Sequence, residues 1–202
     1  DLLTPQALNN AMVIHAAFGG STNLLLHVPA IAHAANLAIP SVKDWTRVNK
    51  STPRLVDALP NGPTGYPTVH VFAAGGVPEV MLHLRRLGLL HTATRTVSGL
   101  TLNEILDEWE QSPRRAQAHG ILTDLGISPD DVIMSPSLSK SRGLSSTVVF
   151  PTGNLAPEGS VIKATAIDPS VVNDKGIYYH KAKARVFTSE AAAIASIKGG
   201  LG

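Results

Sequence analysis

The sequence predicts an α/β chain in two parts: a mainly helical part over residues 1–111 and the opening strands of a β-rich domain over residues 145–202. Three observations carry that reading. Apolar residues recur at helical spacing, punctuated by capping residues, up to about residue 110. From Ser112 to Leu144 the chain turns polar and poorly periodic, with Pro113, Pro129 and Pro136, which predicts a connector over 112–144. Beyond it, Thr147 to Phe150 and Val161 to Ile167 are rich in β-branched residues, as strands are.

Taken in order, Thr4-Pro5 supplies an N-cap with proline at the first helical position, and Leu8, Met12, Val13 and Ala16 continue the apolar face. Gly19-Gly20 stops that helix. Ser21 then caps a second one through Leu24, Leu25, Val28, Ile31 and Ala35. Pro29 lies inside this pattern and should kink or split it, because its ring displaces the carbonyl four residues back. Ser41 and Asp44 set up a capping box for a short helix to Val48. Residues 52–67 are rich in proline and glycine and read as a long ordered loop, a kind of segment that often carries function. Helical pattern resumes at Val69–Ala74, breaks at Gly75-Gly76 and runs from Pro78 to Leu87, with Gly88 as C-cap. Thr101 and Glu104 form a second capping box, for a helix through Leu102, Ile105, Leu106 and Trp109. Ala184 to Phe187 is expected to form a third strand, and Ser189 to cap a final alanine-rich helix through Ile194 and Ile197.

Composition narrows the chemistry. At 202 residues, with 44% hydrophobic and 16% charged residues, the chain can bury a core and carries no signature of disorder. The absence of cysteine excludes disulfides, thiolate zinc sites, thiol nucleophiles and iron–sulfur ligation by this chain. Basic residues are scattered and the net charge is +2, so no nucleic-acid partner is expected. No apolar run is long enough for a transmembrane helix, and Asp1-Leu2-Leu3-Thr4-Pro5 lacks the pattern of a signal peptide. The expected location is therefore cytoplasmic, without a membrane partner. Both ends read as cut, with no initiator Met and an abrupt Lys198–Gly202.

Among local motifs, Gly19-Gly20-Ser21-Thr22-Asn23 admits two readings. It is a tight corner between packed helices, or an anion site in which Gly20 allows close approach and Ser21, Thr22 and Asn23 donate at a helix start. Gly75-Gly76-Val77-Pro78-Glu79 reads as a structural turn, since Glu79 already complements the helix dipole. Asn154, Glu158 and Lys163 sit close together around a Pro-Gly turn and could seal an interface or orient a ligand. His15, His27 and His33 invite a metal reading. However, His27 and His33 stand six apart across Pro29, where helical ligand pairs use three or four. No metal ligand and no catalytic residue is assigned.

Three runs occur in a fixed order: Phe18 to Leu24 (FGGSTNL), Ala73 to Leu90 (AAGGVPEVMLHLRRLGLL) and Thr152 to Pro169 (TGNLAPEGSVIKATAIDP). Together they resemble the dihydroxy-acid and sugar-acid dehydratase family, closest to its xylonate dehydratase branch. The resemblance runs from about Thr4 to Ile197 and implies an internal piece of such an enzyme. It would hold the latter part of the N-terminal α/β domain and the first strands of a β-barrel-like C-terminal domain. Family members remove water from 2,3-dihydroxy acids to give 2-keto-3-deoxy acids. An iron–sulfur cluster acts as Lewis acid on the C3 hydroxyl, Mg²⁺ holds the carboxylate and C2 hydroxyl, and a serine alkoxide takes the C2 proton. The cysteines and Asp–Lys metal ligands belong to family segments before residue 1, and the glutamate ligand and serine to segments after residue 202. The resemblance thus implies a sugar-acid substrate, an iron–sulfur cluster and Mg²⁺ for the parent enzyme, and a homo-oligomer, dimer or tetramer. None of these cofactors is held by this chain alone, which is expected to be inactive. The alternative is a free-standing, non-enzymatic anion-binding or assembly module, which would not expose large apolar patches.

Overall fold

The computed structural model describes residues 2–200. The chain divides into two compact units, Asp1–Ala166 and Ile167–Gly202. In the first, helices α1 (Pro5–Phe18), α2 (Leu24–Ala34), α3 (Val42–Ser51), α4 (Thr68–Ala73) and α5 (Gly76–Arg86) are followed by α6 (Leu102–Glu110) and α7 (Pro113–Asp124). Two short helices, α8 (Pro129–Val132) and α9 (Pro136–Ser141), precede strand β1 (Val148–Val149), which pairs antiparallel with β2 (Ile162–Lys163). The unit is a helix-rich α/β assembly with a small sheet.

Capping chemistry sets most of these helices. Thr4 Oγ1 accepts from the Ala7 N–H at 3.1 Å, and Pro5 occupies the first turn, where its missing N–H has no partner to lose. Both predicted capping boxes form: Ser41 with Asp44 and Thr101 with Glu104. Helix α1 lies at the centre, packed on α2, α3 and α5. Its Leu8, Met12, Val13, Ala16 and Ala17 join Val28 and Ala32 of α2, Trp45 and Val48 of α3, and Val80 and Leu84 of α5 in the main core. Each fully buried leucine or valine there contributes about 1.5–3 kcal/mol. A smaller cluster of Leu82, Leu102 and Leu106 joins α5 to α6.

The structure departs from several of these expectations. Residues 112–144, expected as a connector, lie within the first unit. They fold as α7, α8 and α9, and Leu122, Val132, Ile133 and Met134 are buried. The tie is a backbone one: Val56 bridges Ile133, the Asp57 N–H donates to Val132 O at 3.0 Å, and the Met134 N–H donates to Leu55 O at 2.8 Å. Ser21 does not cap α2; its Oγ accepts from the Asn23 N–H at 3.2 Å, and the helix starts only at Leu24. Of the two outcomes expected at Pro29, a kink or a split, the split does not occur: α2 runs through it to Ala34, because proline removes a single intrahelical donor.

The strands also differ. β1 and β2 are two residues each, in register Val148↔Lys163 and Val149↔Ile162. After Lys163 the chain curls into a 3₁₀ turn at Ala164–Ala166, and Pro151 ends β1 on the other side because proline cannot continue a ladder. In the second unit, Ala184–Phe187 forms no strand, lacking a neighbour to pair with among the described residues. That unit contains a 3₁₀ turn at Pro169–Val171, a Val172–Tyr178 bridge and helix α10 (Glu190–Lys198), capped by Ser189 as predicted. A barrel is not among the described elements.

Candidate functional site

Helix α1 ends at Gly19, whose backbone is left-handed at φ +65°; the Gly19 N–H donates to Ala16 O and the Gly20 N–H to His15 O. A side chain at Gly19 would meet Thr147 Cγ2 at 2.5 Å and Arg54 Nε at 2.9 Å, and one at Gly20 would strike the His15 ring. Helix termination and close packing therefore account for both glycines. The same turn also forms one wall of a cleft of about 590 Å³, within the ~300–1,000 Å³ range of small-molecule sites.

The lining also includes residues 58–61 of the long loop, Thr68 and Val71 of α4 and Lys163 of β2. Lys163 is the charged side chain of this lining, and Ser21, Thr22, Thr68 and Asn61 add hydroxyl and amide groups over apolar Phe18, Val56 and Val71. A cation, several hydrogen-bonding groups and an apolar floor suit a small polyhydroxylated anion.

Two predicted groups, Gly20-Ser21-Thr22 and Lys163, are thus brought together. Asn23 is not in the lining; it stands just ahead of α2 without a side-chain capping bond. Asn154 and Glu158 do not join Lys163. Both are exposed, Asn154 on a turn closed by the Gly153 and Ala156 main chains and Glu158 on the next, closed by the Gly159 N–H on Ala156 O.

Sequence reasoning missed the residues that hold the cleft in shape. Asn61 Nδ2–H donates to Gly19 O at 2.9 Å, while its Oδ1 accepts from Thr165 Oγ1 at 3.2 Å, so one amide ties the glycine turn to the Lys163 segment. The buried Asp57 carboxylate accepts from Thr64 Oγ1 at 2.7 Å and from the Thr64 N–H at 3.2 Å, bracing the 57–64 loop. The Pro-Gly richness of residues 52–67 was the available signal; which side chains it would deliver depends on contacts remote in sequence. Arg54, 5% exposed, lies under Gly19 with Nε and Nη2 unpartnered. Burial lowers its proton affinity and the Asp57 charge opposes that.

His15 is 2% exposed, and its Nε2 lies 2.9 Å from the Ser21 carbonyl; a carbonyl only accepts, so Nε2 carries the proton. Burial depresses its pKa, with the Ser21 bond acting the other way. Away from the cleft, Gly75-Gly76 does form a turn, and Glu79 behind it is bound by Arg115 and Trp109.

Redox-cluster or hard-cation chemistry does not fit the donors of this chain. It has no cysteine, and among the described residues no three His, Asp or Glu side chains converge.

Residues 1–105 match the family model described as dihydroxy-acid/6-phosphogluconate dehydratase N-terminal, and the chain belongs to that family. The chain is 63% identical over 199 residues to a protein named D-xylonate dehydratase YagF of Escherichia coli K12, and 62% identical over 199 residues to D-xylonate dehydratase YjhG of the same strain. Each alignment covers 98% of this chain and 30% of the relative. A dihydroxy-acid dehydratase of Polaromonas is 36% identical over 200 residues, covering 99% of this chain and 31% of that protein. The chain thus spans about a third of the length of these relatives.

Proposed function

We propose that this chain is a portion of a hydro-lyase that dehydrates a sugar acid, an aldonate such as xylonate, to a 2-keto-3-deoxy acid. In this reading it contributes a wall of the acid-binding cleft. The observation that carries the proposal is the convergence of Gly20-Ser21-Thr22 with Lys163, remote in sequence, on one cation-bearing, hydroxyl-lined cleft. The names of the relatives supply the chemistry: the two Escherichia coli proteins at 63% and 62% identity are named D-xylonate dehydratases. Lys163 and the polar turn would hold the carboxylate and hydroxyls of the acid. The iron–sulfur cluster, the Mg²⁺ and the proton-abstracting base would come from other segments of a cytoplasmic homo-oligomer, so these 202 residues alone would not turn over substrate. β1 and β2 would open its barrel-like C-terminal domain.

In this reading exposed Leu26, Val69, Phe72 and Val97 would be available for contact with other segments of the larger protein, whereas a self-contained anion-binding or assembly module would leave no large contiguous apolar patch. The test is a graft. This segment replaces its counterpart in the E. coli D-xylonate dehydratase to which it is 63% identical, and formation of the 2-keto acid from D-xylonate is followed. The expected result is turnover within about tenfold of the parent, a loss of at most about 1.4 kcal/mol in transition-state stabilisation. A folded, cofactor-loaded graft that turns over no aldonate would sink the proposal.

A further inference from the structure

Buried His15 grips the cleft turn in two ways. Its main-chain carbonyl accepts from the Gly20 N–H at 3.0 Å, and its ring Nε2–H donates to the Ser21 carbonyl at 2.9 Å. The ring is itself fixed. Trp45 packs against it edge to face, with centroids 5.5 Å apart and planes at 77°, and the missing side chain of Gly20 leaves the space that the ring fills. Nδ1 is buried without a partner, so a second ring proton would have no acceptor.

A trans peptide points its N–H opposite to its C=O. With the Ser21 carbonyl held toward the buried ring, the N–H of the same peptide, that of Thr22, is turned away from it. Among the described residues this N–H takes no acceptor, and Ser21 and Thr22 both line the cleft.

We propose that His15 is a positioning residue of this site, holding the Ser21–Thr22 peptide so that the Thr22 N–H is offered as a donor to the carboxylate of a polyhydroxy acid. The inference rests on reading the cleft as an acid site, and Lys163 supplies the complementary charge. His15 touches no substrate; it acts through the peptide that it orients.

The test uses the 202-residue chain itself, labelled with ¹⁵N, with His15→Gln and His15→Leu. Glutamine keeps an amide donor that can reach the Ser21 carbonyl; leucine fills the space without one. The imidazole nitrogen shifts should show a neutral ring protonated at Nε2, and an Nδ1–H tautomer overturns the proposal. Titration with D-xylonate should move the Thr22 amide resonance in the parent and in His15→Gln. In His15→Leu the apparent affinity should fall by about tenfold, the effect of one lost hydrogen bond. If the Thr22 amide of the parent does not respond to D-xylonate, or if a folded His15→Leu binds as the parent does, the proposal fails. Should His15→Leu not fold, His15→Gln decides, because a folded glutamine variant that has lost the Thr22 response also overturns it. The graft experiment is independent of these outcomes, so an active graft with a silent Thr22 amide rejects the role of His15 and leaves the functional reading standing.

Discussion

Glu79→Gln is expected to destabilise the first unit by about 2–3 kcal/mol. The Glu79 side chain is 7% exposed and takes a bidentate pair from Arg115, Nε to Oε2 at 2.7 Å and Nη2 to Oε1 at 2.8 Å. Trp109 Nε1–H donates to Oε2 at 3.3 Å, so α5, α6 and α7 meet at this carboxylate. Burial alone would raise its pKa. The hydrogen bonds and charge of Arg115, with Trp109 and His119, outweigh burial and hold the carboxyl below the usual range. Removing one partner of a fully buried pair costs about 3–5 kcal/mol. Here the Arg115 side chain is 27% exposed and can turn to water, which brings the cost down to about 2–3 kcal/mol. For a unit of this size, roughly 2–4 °C accompanies each kcal/mol, so the midpoint should fall by roughly 4–12 °C. Thermal unfolding followed by circular dichroism and tryptophan fluorescence reads this directly. Adding Arg115→Gln to Glu79→Gln should recover part of the loss, since no unpaired cation then remains. A Glu79→Gln midpoint within roughly 1 °C of the parent would refute the reasoning.

Gly19→Ala should destabilise by about 1–3 kcal/mol, because the new methyl meets Thr147 and Arg54 at a left-handed backbone position; urea unfolding measures it, and an unchanged midpoint would count against the packing described. Burial lowers the pKa of both His15 and His83, so below the ordinary histidine value of about 6.5 the unfolded chain binds protons that the native one refuses. Stability should be full above that pH and fall as pH drops toward the depressed native values, by at most about 1.4 kcal/mol per pH unit for each histidine. Melting temperatures between neutral and mildly acidic pH check the sign, and His15→Gln should flatten the slope. In the grafted dehydratase, Lys163→Met should raise KM for D-xylonate by about tenfold or more, through loss of a charge-assisted contact; an unchanged KM removes Lys163 from the site. Asn61→Ala should raise KM in the same enzyme, because the amide that joins Gly19 to Thr165 is gone.

The helices of the first half were legible because their signals are local. Thr4-Pro5, Ser41 with Asp44, Thr101 with Glu104 and the glycines after α1 and α5 each act within a few residues of where they stand. Helix α7 shows the limit. Ser112 and Pro113 are ordinary start signals, yet of the twelve residues Leu122 alone is buried, so no apolar stripe marked the segment as part of a core. What fixes it is remote: Arg115 on Glu79, and the His119 ring on Ala74 O at 3.1 Å. The bridge between residues 55–57 and 132–134 was invisible for the same reason, as isolated backbone pairing leaves no period in a sequence. Lys163 was singled out, but beside the wrong companions. Closeness along the chain suggested Asn154 and Glu158, whereas the fold carries Lys163 to the glycine turn.

Gly19-Gly20 admits two readings that look exclusive, a packing corner or a turn facing an anion. The structure removes the opposition. Thr147, Arg54 and the His15 ring crowd the turn from beneath, which is the packing role and the reason that neither glycine tolerates a side chain. Beyond that filled side, exposed Ser21 and Thr22 line the cleft together with Lys163 and Asn61. A binding surface needs donors held within a fraction of an ångström by groups whose own positions are locked. A turn clamped on its buried face by a helix terminus, an imidazole and an asparagine amide meets that need better than a free loop would. Tight packing at such a turn therefore supports the binding reading and does not compete with it.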